Sequence, residues 1–355
     1  MRWNDMKYVG AYLGPIIAFL SVWQGGFWSF SAAILSFVII PLVELLLGNN
    51  QLDHVPPIDN QRESLFFDML LYLNVPILYG LIILFFWRVG FTMLDTYEII
   101  GMTLSVGTYV GASGINVAHE LGHRSGRINK LLAQLLLIPG FYQHFTIEHN
   151  HGHHRWVGTL RDPATARYGE NIYRFWIRSS LGSIRNAISI EMCRLEKSGI
   201  SIWSWRNQIL QYCIVQIIYL VFAFIVFGSR AGVLAVAIGL IGFLLLESIN
   251  YIEHYGLLRK RKGEDQFERV GMMHSWNSNH DIGRIFLYEL TRHADHHYKA
   301  SKKYQFLRHI AESPQLPTGY PGSIILALIP PMWFRIMNPK VPVDMVKLFY
   351  EGIEN

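Results

Sequence analysis

The sequence predicts an all-α integral-membrane bundle of six transmembrane helices with a histidine-rich cap on its cytoplasmic side. Three observations predict it. The 355 residues are 51% hydrophobic and 16% charged, poorer in charge than the ~25% usual for soluble domains. Six apolar stretches are long enough, or nearly so, for a hydrocarbon core that takes about 20 helical residues. Histidines cluster in the segments that follow the fourth and sixth stretches.

Taken in order, the spans read as 8–23, 28–47, 69–87, 99–118, 209–227 and 231–251. Residues 24–27 (Gln-Gly-Gly-Phe) make a tight turn between the first two, the short link 88–98 joins the middle pair, and 228–230 (Gly-Ser-Arg) joins the last. Three hairpins put both termini on one side. With that threading Arg88 and Arg230 are the basic residues of the short-loop side, and the remaining Lys and Arg lie with the termini and the histidines. By the positive-inside rule this side faces the cytoplasm. The expected setting is the inner (plasma) membrane, crossed several times. Trp23, Phe27, Trp28 and Trp87 fall near span ends, as an interfacial aromatic belt requires. The charged start (Arg2, Asp5, Lys7) runs into a long apolar stretch without a small-residue cleavage site, so the first span is expected to stay in place. The net charge of +5 reads as topology and attraction to anionic lipid, and no motif points to nucleic acid.

A cytoplasmic insert is expected over 119–205 and a cytoplasmic tail over 253–355, all in one domain covering 1–355. Residues 131–138 are apolar but too short to span, and 155–174 read as part of a cap. Residues 324–336 are apolar but broken by Pro330 and Pro331, which suggests a monotopic or re-entrant element.

The chemistry is carried by histidines. HELGH at 119–123 matches the HExxH pattern, in which two histidines hold zinc and Glu120 is a general base. That reading needs one further ligand, yet EHNHGHH (148–154) adds His149, His153 and His154, RHADHH (292–297) adds His293, His296 and His297, and NYIEHYG (250–256) adds His254. Nine candidates are too many for one tetrahedral zinc; two metals would use them all. Residues three and four apart share a helix face, so His119 with His123, His149 with His153, and His293 with His296 and His297 are each expected to face one region. His154 lies roughly 100° around from His153 and should reach the other metal. Imidazole shells with open positions favour iron that binds oxygen, hence two Fe ions. Glu120, Glu148, Asp162, Glu253 and Asp295 are candidates to accept the outward imidazole N–H groups. His144 and His151 fall off the ligand face or duplicate what their neighbours supply, His274 and His280 flank residues 276–279 in a packing, supporting or electron-entry role, and His54 and His309 read as surface loop residues.

HELGHR, EHNHGHH with Asp162-Pro163, NYIEHYGL, WNSNH (276–280) and LTRHADHH (290–297) together resemble the membrane-bound alkane 1-monooxygenases, within the integral-membrane di-iron hydroxylases and desaturases. The resemblance implies terminal hydroxylation of n-alkanes by O2 with electrons from rubredoxin, itself reduced by a rubredoxin reductase. Cys193 and Cys213 form no C-x-x-C pair, so neither an iron–sulfur centre nor a fused rubredoxin is expected, and both read as buried small hydrophobes. No flavin, haem or directly bound NAD(P)H is expected either. Arg155, Arg161, Arg167, Lys299, Lys302 and Lys303 could dock an acidic donor or form a rim against lipid. An apolar channel among the spans would orient the alkane by shape; Ser36, beside Phe37 on a span with Ser31, Ala32 and Ala33, is the candidate channel residue. The rival readings are a fatty-acyl desaturase or hydroxylase, a membrane zinc metalloprotease built on HELGH, and a metal transporter, which would place its ligands near the bilayer midplane.

Overall fold

A computed structural model describes residues 3–49, 65–263 and 266–354; His54 lies outside them. Among the described residues the regular elements are all helices, with two isolated bridges, Arg261 to Phe267 and Asn277 to Gln315. Four helical runs are long and apolar enough to cross a membrane: Asp5–Gln24, Gly26–Leu47, Leu65–Phe91 and Gln208–His254. The protein is accordingly a membrane protein built on apolar helices.

The first turn is held from a distance. Gly25 adopts φ 68°, a conformation side chains resist, and the Gly26 amide donates to Glu98 Oε1 at 2.6 Å. Glu98 Oε2 also accepts from the Asp95 amide at 2.9 Å, closing a capping box on helix Thr96–Tyr109. One carboxylate thus ties together two helix ends. The 47-residue run Gln208–His254 contains a break at Gly228, with φ 88° and ψ 173°. There the chain doubles back: a Cβ on Gly232 would sit 2.7 Å from the Phe224 ring. The expected turn at 228–230 therefore exists, and its two arms are the stretches read as the fifth and sixth spans.

The fourth apolar stretch is the buried centre of the bundle. Helix Thr96–Tyr109 passes through a π-helical turn, Val110–Ile115, into Asn116–Gly122. A Cβ on Gly111 would lie 2.6 Å from the Gly242 carbonyl oxygen. Such small-residue crossings let membrane helices approach backbone to backbone.

Two features depart from expectation. A 26-residue helix, Ile172–Lys197, runs through the insert, burying Phe175, Ser179, Ser183, Ala187, Glu191 and Leu195, one residue in four. Its outer face leaves Ile177, Leu181 and Cys193 exposed. Cys213 is exposed on the outer face of its span as well, so neither cysteine is the buried hydrophobe expected. The stretch 324–336 forms two short helices, Tyr320–Ala327 and Pro330–Met337, separated at Pro330 as its proline pair requires. Residues 131–138 belong to a short helix, Arg127–Leu137.

Candidate metal centre

Nine imidazoles converge in two groups. One contains His119, His123, His149, His154 and His296; the other contains His153, His254, His293 and His297. In the first, His119 Nε2 lies 3.1 Å from His296 Nε2 and 3.2 Å from His123 Nε2, and His154 Nε2 lies 3.2 Å from His123 and 3.1 Å from His149. In the second, His293 Nε2 is 2.8 Å from His297 and 3.2 Å from His254, and His153 Nε2 is 3.3 Å from His297. Nitrogens held about 2.1 Å from one metal sit about 3.0–3.4 Å apart, so these spacings are those of ligands around a centre. A neutral imidazole has one N–H and one lone pair; five nitrogens aimed at one point cannot satisfy one another by hydrogen bonds. A cation satisfies all of them at once. Burial first, and then the neighbouring rings, hold His149, His154, His296 and His297 well below the usual imidazole range, in the neutral form that binds metal.

The partition corrects the expected pairing of neighbours. His149–His153 is a π-helical turn, and its wider winding brings residues five apart onto one face. His149 therefore joins His154, and His153 turns to the other group. In helix His293–Tyr298 the residues four apart, His293 and His297, stay together, while His296 at three apart faces the first group. His119 and His123 share a group as their spacing implies, and His153 and His154 part as expected. Two of the three histidine-rich segments thus serve both groups, which fixes the groups side by side.

The five carboxylates singled out from sequence separate into different environments. Asp162 Oδ2 lies 2.9 Å from His153 Nδ1, on the side of the ring away from the cluster, and accepts from Thr165 Oγ1 at 2.6 Å. Burial alone would raise Asp162, but His153 holds it low; the same pairing raises His153 against its burial. Glu253 Oε2 lies 3.2 Å from His293 Nε2 and its Oε1 accepts from Tyr320 Oη at 2.7 Å. Glu148 bonds Asn186 Nδ2 at 3.0 Å, and burial together with Asp162 pushes it up to about 8. Glu120 takes two bonds from Arg124, at 3.0 and 2.9 Å, and one from the Tyr304 amide, which occupies the group a zinc protease would need as its base. Asp295 faces Lys302 at 2.5 Å and the Arg308 amide at 2.7 Å; it closes a loop and bonds no imidazole there.

The remaining histidines lie outside both groups. His144 is half-buried with its Nε2 enclosed and unpartnered, brought down to about 4 by desolvation, and packs on Tyr142. His151 is exposed, His309 half-buried. His274 contributes its carbonyl, 3.4 Å from His254 Nδ1, while its ring meets Glu268, and His280 bonds Ser278. Asn277 is a supporting residue the sequence did not single out: its Oδ1 accepts from the Ala294 amide at 2.8 Å and its Nδ2 bonds Ser313 Oγ, pinning the first turn of helix His293–Tyr298.

An apolar cavity of about 70 Å³ lies among the helices. Ser36, Phe37, Tyr109, Ile249, Leu287 and Tyr320 are among its lining residues. Two of its walls are backed by π-helical turns, Leu35–Ile39 and Val110–Ile115. Two lining residues connect directly to segments carrying the metal-facing histidines: Tyr320 bonds Glu253, next to His254, and the Leu287 carbonyl accepts from Asn116 Nδ2 at 3.0 Å, three residues before His119.

A helical membrane bundle with two largely buried all-imidazole groups and an apolar cavity defines the class of membrane metalloenzymes that act on apolar chains, and residues 95–324 match the fatty acid desaturase family model. The chain belongs to the alkane 1-monooxygenase family. It is 38% identical to the alkane 1-monooxygenase of Pseudomonas putida over 336 residues, covering 92% of this chain and 83% of that protein. It is 39% identical to that of Ectopseudomonas oleovorans, with 93% and 83% covered, and 38% identical to alkane 1-monooxygenase 1 of Alcanivorax borkumensis, with 96% and 82% covered.

Proposed function

We propose that the protein hydroxylates n-alkanes at the terminal carbon, consuming O2, two electrons and two protons per 1-alkanol and water formed. The observation that supports this best is the juxtaposition of nine converging imidazoles with an apolar cavity whose walls bond to the histidine-bearing segments. The donor set fits two iron ions, one held by His119, His123, His149, His154 and His296 and one by His153, His254, His293 and His297. Iron bound there supplies O2 activation and the removal of hydrogen from an unactivated C–H bond.

The protein's own residues do the rest. An alkane offers no polar group, so Phe37, Ile249, Leu287 and their neighbours can orient it only by shape. A narrow lining admits the chain lengthwise, methyl first, and excludes water from the reacting end. Asp162 holds the His153 ring through its outward nitrogen, and the His274 carbonyl does so for His254.

The helices form six spans with the termini, insert and tail on the cytoplasmic side of the inner membrane, as the distribution of Lys and Arg indicates. Rubredoxin, reduced by its reductase, is the electron donor. Its docking surface includes the exposed Arg155, Arg161 and Lys299; Lys302 and Lys303 already face Asp295 and Asp68. The test is to supply purified protein, loaded with iron and quantified for metal, with O2, rubredoxin, reductase and NADH, and either octane or a C18 fatty-acyl substrate. 1-Octanol formation with two irons per chain is the expected result. One zinc per chain, or turnover of the acyl chain alone, would sink the proposal.

A further inference from the structure

A carboxylate can meet a metal-binding imidazole from two sides. Behind the ring it accepts the outward N–H and steadies the tautomer; in front, it faces the metal. Asp162 takes the first position, at His153 Nδ1. Glu253 takes the second: its Oε2 lies 3.2 Å from His293 Nε2, the atom that is 2.8 Å from His297 Nε2 and 3.2 Å from His254 Nε2. The back of the same ring, His293 Nδ1, is buried and has no partner. Glu253 is therefore not placed to steady the His293 ring from behind.

We infer that Glu253 is itself a donor to the metal of the four-histidine group, giving four nitrogens and one oxygen there beside the five nitrogens of its neighbour. The inference rests on the two-metal reading above. Once His293 Nε2 binds a metal it has no proton to give. A carboxylate oxygen left at 3.2 Å would then face a nitrogen without a donor between them, in a side chain only 1% exposed. A buried carboxylate stripped of its partner is costly. Moving onto the cation removes that cost and offsets part of the charge that neutral imidazoles leave in place. Glu253 borders the four nitrogens at the His293 edge and stands outside their group, so binding requires Oε2 to move inward by rotation about its side-chain bonds.

The residue is held at two points, its backbone carbonyl and the carboxylate oxygen that does not face His293. Its backbone carbonyl accepts from the Trp276 amide at 2.8 Å, and Tyr320 Oη holds its other carboxylate oxygen. Tyr320 also lines the apolar cavity. It is a positioning residue: one hydrogen bond separates the cavity wall from the carboxylate that reaches the metal, so a chain packed against the Tyr320 ring changes the ligand field of one site and not the other.

The experiment uses the full chain in detergent, as wild type, Glu253→Gln and Tyr320→Phe, loaded anaerobically with iron-57. Metal content and Mössbauer spectra of the reduced protein are the readouts. Wild type should hold two irons in two distinguishable environments. Glu253→Gln should leave the five-histidine signal unchanged, alter the other, and weaken iron binding there by about tenfold or more. Tyr320→Phe, which keeps the carboxylate, should retain both irons and shift only that same signal. Wild-type spectra and affinity in Glu253→Gln would overturn the inference, as would parallel changes in both signals, which mark a general structural role. A wild-type protein that holds fewer than two irons instead removes the two-metal reading, and the ligand assignment with it.

Discussion

His149 and His154, five residues apart, bring their Nε2 atoms to 3.1 Å, while His153, four residues from His149, aims its Nε2 at His297, 3.3 Å away. The π turn that carries them deals successive histidines to different groups. Substitutions in this turn should therefore be separable. His123→Ala and His296→Ala remove donors from the five-histidine group, and His153→Ala removes one from the four-histidine group. Each should abolish hydroxylation and lower bound iron from about two toward about one per chain, with expression in the membrane largely intact. Metal analysis of the three purified variants checks this, and wild-type activity in any of them takes that residue out of the site.

The bundle was legible where composition and turn chemistry agree. The glycine at 228 that ends one apolar stretch does adopt the conformation a reversal needs, and the proline pair at 330 does divide the last apolar run. The nine histidines were legible as a set because their clustering is far from random, but their division was not. Spacing arguments assume 3.6 residues per turn, and the three π turns at 35–39, 110–115 and 149–153 break that assumption where the chain meets the cavity and the site. Helix Ile172–Lys197 stayed hidden because its buried stripe runs through Ser179, Ser183 and Ala187, which carry no hydrophobic periodicity. Asp295 looked like a partner for its neighbouring histidines, but its side chain bonds Lys302 and the Arg308 amide in the loop beyond the helix.

That difference among the carboxylates yields a paired prediction. Asp162→Asn removes the charge behind His153 and should weaken iron binding, activity, or both by about 10–100-fold. Asp295→Asn breaks a loop contact with Lys302 and the Arg308 amide and should leave iron affinity within about twofold of wild type while lowering thermal stability. Titrating iron into both apo variants compares them directly; equal losses would place Asp295 in the metal site.

Acid should loosen the N-terminal helix from the histidine-bearing segment. Glu289 accepts from Arg284 Nε at 2.7 Å, Tyr8 Oη at 2.7 Å and Lys7 Nζ at 3.2 Å. Burial opposes its charge, but the bonds and charges of Arg284, Lys7 and Arg292 hold it at about 2, against an ordinary value of 4.5. A depressed carboxylate contributes its full stabilisation above the unfolded-state value and loses it as pH falls from about 4.5 to about 2. At ~1.4 kcal/mol per pH unit the contribution is roughly 3 kcal/mol. Thermal melts in detergent across that range should show a steeper acid decline in wild type than in Glu289→Gln, which starts less stable because it leaves Arg284 buried without its countercharge.

The electron path is open to a simple reconstitution. Purified protein with NADH alone should be inactive, and activity should appear with rubredoxin and its reductase. If Arg155, Arg161 and Lys299 steer an acidic donor, raising ionic strength beyond ~0.15 M, where charges are screened within about 8 Å, should raise the KM for rubredoxin and leave kcat unchanged. Arg155→Glu with Arg161→Glu should raise that KM even at low salt. A salt-independent rate under donor-limited conditions would argue against this surface.

The selectivity for chain length follows from the far wall of the cavity. Ala32, on the same small-residue face as Ser36, is buried and lines the same cavity, and its amide donates to Ser21 Oγ at 3.2 Å; that part of the face also serves the packing of the first two helices. Ser36 sits one turn further on, inside the π turn Leu35–Ile39, and lines the cavity with Phe37. The bulge places a small side chain in the same lining as Tyr109 and Ile249, where it takes up less of the cavity than a larger residue would. Replacing Ser36 by Trp adds a ring that must fill part of this space, because close-packed surroundings do not expand to admit it. Short alkanes whose far end stops before residue 36 should turn over at close to the wild-type rate. Longer ones should lose kcat/KM by about tenfold or more, since a blocked chain cannot bring its methyl group within the near-contact distance that reaction requires. A ladder from hexane to hexadecane, run with wild type and Ser36→Trp, reads the wall directly: a cutoff that moves to shorter chains places Ser36 in the substrate path, whereas an unchanged profile or a uniform loss at every length returns it to helix packing.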